Sequence, residues 1–166
     1  MSTVLALLFL SAARADIPPP ADAPQPDPVK TAACMAGTDE VACIEQGALL
    51  HKRKDFVGAE GLLRPSCDRG AAPSCRKLGD VLMERTNPKR STDDGYALFE
   101  KACNGNDGEG CMKQGTILTI GLEAIQQDGA RALVLMDKAC KLGNARGCEM
   151  AEGLRATPTL PPSQAK

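Results

Sequence analysis

The feature that most constrains this chain is a pair of cysteines that recurs four times. In three copies the two cysteines stand eight residues apart, as in the stretch CNGNDGEGC at residues 103–111, and in the first copy they stand nine apart. The four pairs take up all eight cysteines of the chain: Cys34 and Cys43, Cys67 and Cys75, Cys103 and Cys111, Cys140 and Cys148. A fold for this chain must therefore contain the same local arrangement four times.

The cysteine pairs repeat with a helical period. Their first cysteines lie 33, 36 and 37 residues apart, a spacing typical of arrays of helical hairpins. In the last three copies, apolar residues four and five positions before the first cysteine share one face of a helix with a small residue eight positions before it. Glycine recurs four residues after the second cysteine, at Gly47, Gly79 and Gly115. Because a glycine inside a helix costs about 1 kcal/mol, this recurrence predicts a close approach by a neighbouring helix.

The sequence also predicts where these helices begin and end. A glycine shortly after the first cysteine is expected to adopt the left-handed conformation that ends a helix, at Gly37, Gly70, Gly143 and, one place earlier in its copy, Gly105. Residues with N-cap side chains precede the helices, at Asp55, Thr92 or Asp93, and Asp128. Pro65 lies near the end of one of these helices and is expected to kink its last turn.

The cysteine spacing predicts how the thiols pair. Eight cysteines allow 105 pairings, but a short turn that folds two helices antiparallel brings the two sulfurs of one copy within bonding reach. We therefore predict a disulfide within each pair, closing a loop of about nine residues and contributing about 2–3 kcal/mol. The chain has no C-x-x-C motif and a single histidine, so zinc-bound or redox-active thiols are disfavoured. We expect no metal and no cofactor.

Composition favours helices over a sandwich or barrel. Aromatic residues make up 2% of the 166 residues, which excludes a large aromatic core, and Ala, Leu and Gly suit closely packed helices. The formal net charge of −1 argues against nucleic acid as the main partner. The predicted fold class is all-α, in a single repeat domain at residues 31–156.

The segments that flank this domain are predicted to lie outside the fold. Residues 1–15 contain a short apolar run and an A-x-A motif, which together predict a signal peptide. Residues 16–30 are rich in proline and predict an extended linker, and residues 157–166 predict a disordered tail. Export agrees with an even number of cysteines, so we expect a periplasmic or secreted bacterial protein.

Three stretches resemble the Sel1-like repeat family, and within it the exported cysteine-rich bacterial proteins of the Hcp type. The family pattern is roughly KAxxxFxKACxLGxxxGCxxLGxxY. It is matched by GYALFEKACNGNDGEGCMKQG at residues 95–115, ARALVLMDKACKLGNARGC at 130–148 and SCDRGAAPSCRKLG at 66–79. The resemblance covers residues 31–155. It implies an α/α solenoid, a right-handed superhelix of TPR-like hairpins with one disulfide each.

The resemblance also implies a monomeric scaffold that binds a protein or peptide on its concave face. That face is lined by the first helix of each hairpin in such arrays. The candidate partner-binding residues are Gln46, Lys77, Asp80, Lys113 and Gln114. A structural envelope protein without a defined ligand is an alternative.

A second alternative is a hydrolase, because some proteins of this cysteine-rich group have been classed as penicillin-binding or β-lactamase-like. Ser74 precedes Lys77 by the spacing that serine β-lactamases use, and so does Ser163 with Lys166. The S-D-N and K-T-G elements are missing, however, and other copies carry glycine at the position of Ser74. His51 lies in the charged stretch HKRKD and is expected to be solvated. We therefore expect no catalytic residues.

Overall fold

The computed structural model describes residues 24–156, and eight helices contain most of them. The helices are α1 (Pro28–Met35), α2 (Glu40–Lys52), α3 (Phe56–Asp68), α4 (Ala72–Met83), α5 (Thr92–Asn104), α6 (Gly108–Ile120), α7 (Gly129–Lys141) and α8 (Ala145–Ala156). The only β-type pairing in this range is an isolated bridge between Leu122 and Ile125. The prediction of an all-α fold is confirmed. The predicted signal peptide, the first part of the linker and the predicted tail lie outside the described residues.

The helices pack in the order in which they follow one another along the chain. Each helix contacts the next, and α2, α4, α6 and α8 also contact one another in that order. The even-numbered helices therefore lie side by side in one layer, which we call the even layer. The odd-numbered helices alternate with them. The right-handed winding of such an array stays a prediction.

The cysteine pairs lie at the turns between an odd helix and the following even helix. Their Sγ–Sγ distances are 2.00–2.17 Å, which is disulfide distance, and the pairs are the ones that the spacing predicts. Six of the eight cysteines are buried, whereas Cys140 and Cys148 are only half-buried. The three buried disulfides therefore form part of the hydrophobic core.

The recurring glycines allow close contact between successive hairpins. A Cβ atom at Gly79 would lie 2.7 Å from Cε1 of Phe99 and 3.1 Å from the carbonyl oxygen of Gly95. In the same way, the side chain of Leu63 packs against Gly47 and the side chain of Met136 packs against Gly115. The prediction of a close helix approach is confirmed. In the fourth copy Glu152 takes the glycine position, and α8 is the last described helix.

One of the predicted turn glycines does not adopt the expected conformation. Gly37, Gly70 and Gly143 have φ angles of +73°, +99° and +85°, as predicted. Gly105 instead has φ −80°, and Asn106 has φ +66°. Asn106 stands three residues after Cys103, in the same register as the other three glycines. Asparagine tolerates the left-handed region better than most residues because its short side chain can hydrogen-bond locally.

Helix starts agree with the predicted N-caps in two of three cases. The side chains of Asp55 and Asp128 accept hydrogen bonds from the backbone N–H groups of Gly58 and Arg131. Helix α5 is instead capped by Ser91, whose Oγ accepts from the N–H of Asp94 at 3.3 Å. Thr92 and Asp93 belong to the first turn of that helix, where the negative charge of an aspartate interacts favourably with the helix dipole.

Helix α1 begins inside the segment that the sequence predicts to be a linker. Asp27 accepts hydrogen bonds from the N–H groups of Val29 and Lys30, and Pro28 occupies the first turn, where proline loses no helical hydrogen bond. The last three residues of the predicted linker are therefore helical. Pro65 lies inside α3, which continues past it to Asp68.

The core reflects the small number of aromatic residues. Its largest fully buried side chains include Leu63, Leu78, Val81 and Met136. One cluster of buried residues comes mainly from α1 to α4, and a second comes from α5 to α8. The core therefore extends along the row of helices.

Candidate functional site

A groove of about 800 Å³ opens on the even layer. Most of its lining residues belong to α2, α4, α6 and α8, and the others are Phe99 of α5 and Glu84 and Arg85 of the α4–α5 loop. The groove therefore crosses all four hairpins.

The repeat register explains which residues line the groove. Lys77 on α4, Lys113 on α6 and Met150 on α8 each stand two residues after the second cysteine of their copy. Asp80 and Thr116 stand three residues later, on the same helix face. The same helical face therefore points into the groove in successive hairpins.

Methionine side chains supply much of the apolar surface. Met83, Met112 and Met150 line the groove together with Phe99 and Ile117. The hydroxyl of Thr116 lies 3.6 Å from Sδ of Met112 and 3.9 Å from Sδ of Met150. Because methionine is unbranched and polarizable, such a surface can adapt its shape to a bound chain.

Both acidic side chains of the groove are paired. The ammonium group of Lys113 lies 3.0 Å from Oδ1 of Asp80. Glu84 accepts the ammonium of Lys54 at 3.2 Å and lies 3.6 Å from Nε2 of His51. Neither carboxylate is therefore left to bind a cationic ligand.

Three basic side chains of the groove have no such partner. Within residues 24–156, Lys77, Arg85 and Arg146 form no ion pair and no side-chain hydrogen bond. They come from α4, the α4–α5 loop and α8. The groove therefore carries a local excess of positive charge, although the whole chain has a formal net charge of −1.

His51 lies at one end of the groove and is not freely solvated as expected. Its side chain is 22% exposed, and its ring centroid lies 6.0 Å from that of Phe56. Burial lowers the pKa of His51 below the ordinary 6.5, and the nearby carboxylate of Glu84 offsets only part of this shift. The folded protein therefore favours the neutral imidazole.

The structure brings together three of the five predicted partner-binding residues. Lys77, Asp80 and Lys113 line the groove, but they lie on α4 and α6, the second helices of their hairpins, and not on the first helices that the resemblance implies. Gln46 and Gln114 do not line it, since they are 5% and 3% exposed. The Oε1 atom of Gln46 accepts a hydrogen bond from the N–H of Asp27 at 2.7 Å, and Gln114 lines a smaller pocket between α5 and α7. Partner binding by any of these residues stays a prediction.

Most of the remaining groove residues could not be recognised from the sequence. Met112 and Met150 resemble ordinary core positions in the sequence, and Arg85 and Arg146 carry no motif. The repeat register alone indicates Thr116 and Met150, because they align with Asp80 and Lys77.

Ser74, the candidate nucleophile, is inaccessible. Its side chain is 0% exposed, and its Oγ lies 2.6 Å from Oγ of Ser66, which also hydrogen-bonds to Glu40. A substrate could not reach this hydroxyl without unfolding the turn. The second candidate, Ser163, lies outside the described residues.

Neither a metal-binding cluster nor a membrane-spanning helix is found within residues 24–156. No three His, Cys, Asp or Glu side chains there gather as metal ligands would. No helix between residues 24 and 156 is both long and apolar enough to cross a bilayer. All eight cysteines take part in disulfides.

Several animal proteins are similar to this chain, although no protein-family model matches it. Cytochrome c oxidase assembly factor 7 of Xenopus tropicalis is 30% identical over 128 residues, which cover 71% of this chain and 55% of the frog protein. Its homolog in Drosophila melanogaster is 31% identical over 90 residues, covering 51% of this chain and 34% of the fly protein. Assembly factor 7A of Xenopus laevis is 30% identical over 104 residues, covering 58% and 44%. The chain therefore spans about half the length of these relatives, or less.

These relatives contradict two predictions. The predicted function, an exported bacterial scaffold with a hydrolase or an envelope protein as alternatives, is wrong because the relatives are animal proteins named for cytochrome c oxidase assembly. The predicted periplasmic or secreted location is wrong for the same reason, since that oxidase is mitochondrial in eukaryotes. Disulfide-linked hairpins describe a fold, and a fold does not specify a function or a compartment. The likeness to the Sel1-like repeat family stays a prediction.

Proposed function

We propose that this chain is an assembly factor for cytochrome c oxidase that holds a partner protein in its groove. The observation that carries the proposal is the groove itself, which crosses four hairpins and combines adaptable methionines with unpaired cations. A groove of about 800 Å³ has the size of sites that bury a ligand or a short peptide segment. The relatives are named as cytochrome c oxidase assembly factors, and this name supports oxidase assembly as the process that the binding serves.

We further propose that the hairpins are of the Sel1-like type and wind into a right-handed α/α solenoid. The match at residues 95–115 and the side-by-side packing of the even layer support this arrangement. We propose that the even layer, which consists of the second helix of each hairpin, forms the concave side in place of the first helices that the resemblance implies, and that the groove lies along it. An experimental structure would measure the hand of the winding.

A complementation experiment tests the proposed function. The gene is deleted in the source organism, and assembled cytochrome c oxidase is measured by native gel and by oxidase activity. The wild-type chain, a Thr116→Arg variant and an Ile120→Arg variant are then reintroduced. Thr116 is half-buried between Met112 and Met150, so the arginine fills the groove, whereas Ile120 is 67% exposed on the same helix and does not line it.

We expect the deletion to lower oxidase assembly, and we expect Ile120→Arg but not Thr116→Arg to restore it. Circular dichroism and thermal unfolding of both purified variants check that they fold. Normal oxidase levels after deletion would refute the assembly role. Full rescue by Thr116→Arg would refute the use of the groove.

A further inference from the structure

We infer that the groove recognises an acidic segment of its partner, an extended stretch in which carboxylates alternate with aliphatic side chains. This inference rests on the proposed function and specifies the chemistry of the bound partner. Lys77, Arg85 and Arg146 pair with the carboxylates, and the methionines contact the aliphatic side chains.

The charges of the groove favour carboxylates. Asp80 and Glu84 are already neutralised by Lys113 and Lys54, at 3.0 and 3.2 Å. A cationic ligand would therefore have to displace one of these pairs, whereas an anionic ligand meets three unpaired cations. Charge complementarity of this kind selects the partner and speeds the encounter.

The placement of the cations favours an extended ligand. Lys77 belongs to α4 and Arg146 to α8, and α6 lies between these helices, in contact with both. Packed helices lie about 8–10 Å apart, so the two backbones are separated by roughly 16–20 Å. An extended chain advances about 3.3 Å per residue, so about six residues cover this distance. A small anion bound at one end leaves the cations at the other end unpaired.

The rest of the groove favours a peptide over a nucleic acid. Single-stranded nucleic acids bind where aromatic side chains stack on successive bases, whereas Phe99 is the one Phe, Tyr or Trp among the described groove residues. Met112 and Met150 instead offer flexible apolar contacts that suit leucine-like side chains. The combination of three cations and an apolar surface therefore fits an acidic, aliphatic segment.

The test measures binding of fluorescent peptides by anisotropy. The probes are an eight-residue peptide of alternating glutamate and leucine and a matched peptide with glutamine in place of glutamate. We expect the glutamate peptide to bind roughly tenfold more tightly at low salt, the size that three partly screened ion pairs produce. The difference should shrink as salt is added.

Two charge-matched variants complete the test. The triple variant Lys77→Gln, Arg85→Gln, Arg146→Gln should bind both peptides equally. The control variant Lys89→Gln, Arg131→Gln, Lys141→Gln removes the same charge outside the groove and should keep the preference for glutamate.

The outcomes separate this inference from the proposed function. Equal binding of the two peptides by the wild-type protein would overturn the acidic specificity and leave the groove as a partner site. Binding of neither peptide would also overturn it. Complete competition by inorganic phosphate or by an oligonucleotide at submillimolar concentration would show that the groove binds another anion, and the inference of an acidic peptide would be wrong. Failure of the proposed function itself is read from the complementation experiment.

Discussion

At the scale of single residues, Arg76 links two successive hairpins. Its Nε lies 2.9 Å from Oδ1 of Asp107, and its Nη1 lies 3.3 Å from Glu109. Asp107 also caps α6 by accepting a hydrogen bond from the N–H of Gly110 at 2.6 Å. The side chains of Arg76 and Asp107 are only 10% and 8% exposed, so loss of Arg76 leaves the shielded carboxylate of Asp107 without its ion-pair partner. The start of α6 is therefore held by the preceding hairpin.

His51 should make the stability of the fold depend on pH. Its pKa in the folded protein lies below the ordinary 6.5, so the unfolded chain takes up a proton first as the pH falls. The free energy of unfolding should therefore decrease as the pH falls from above 6.5 toward the folded-state pKa. A His51→Gln variant should lack this component.

Urea unfolding of both proteins between about pH 8 and pH 5 measures this difference, because acidic groups affect the two alike. His51 is the single histidine of the sequence, so an NMR titration of untagged protein follows it directly. A titration midpoint at or above 6.5 would contradict the structure.

At the scale of helices, the glycines of the even helices set how closely successive hairpins pack. A Gly79→Ala substitution should lower the free energy of unfolding by about 1–3 kcal/mol, because the added methyl group meets the Phe99 ring and the Gly95 carbonyl oxygen. The matched control is Gly61→Ala in α3, where no atom lies within 4 Å of the new Cβ. It should raise the free energy of unfolding by about 0.5–1 kcal/mol through helix propensity.

Urea unfolding of both variants with intact disulfides measures these changes. A Gly79→Ala protein as stable as the wild type would show that the two hairpins are not in tight contact at this position.

The sequence predicts these helical features well because each depends on local chemistry. Gly79 could be predicted to lie in a helix contact because a glycine inside a helix needs a packing reason. The start of α5 could not, since Ser91, Thr92 and Asp93 are all good capping residues and tertiary packing selects among them. The left-handed conformation of Asn106 could not be predicted from residue type, because a glycine stands directly before it at position 105.

At the scale of the whole molecule, the disulfides differ in their exposure. Cys140 and Cys148 are half-buried near the end of the described chain, whereas the other six cysteines are buried. The intact protein should be eight hydrogens lighter than its reduced form, as four disulfides require. Under mild reduction, Cys140 and Cys148 should be alkylated first, because local opening of a terminal hairpin exposes them.

Peptide mapping by mass spectrometry after a brief reduction identifies the alkylated cysteines. Modification of Cys67 or Cys103 before Cys140 would contradict this order.

The groove could be predicted only in part, because it depends on several hairpins at once. The candidates chosen from the family resemblance include Lys77, Asp80 and Lys113, which line the groove, but also Gln46 and Gln114, which do not. Those two glutamines stand three residues after the second cysteine, one position later than Lys77 and Lys113. One residue corresponds to a rotation of about 100° around the helix axis, so the glutamines face the odd helices instead of the groove. The proposed role in oxidase assembly could not be predicted at all, since disulfide-linked hairpins carry no information on the process in which a protein takes part.

Each disulfide joins residues that are only eight or nine positions apart in the chain. Oxidative folding of this protein therefore needs no contact between distant segments, and every hairpin can acquire its own crosslink independently of the others. Because closing a short loop costs less entropy than closing a long one, scrambled isomers should be rare from the outset. Each disulfide can therefore form within its own hairpin, before the hairpins pack against one another.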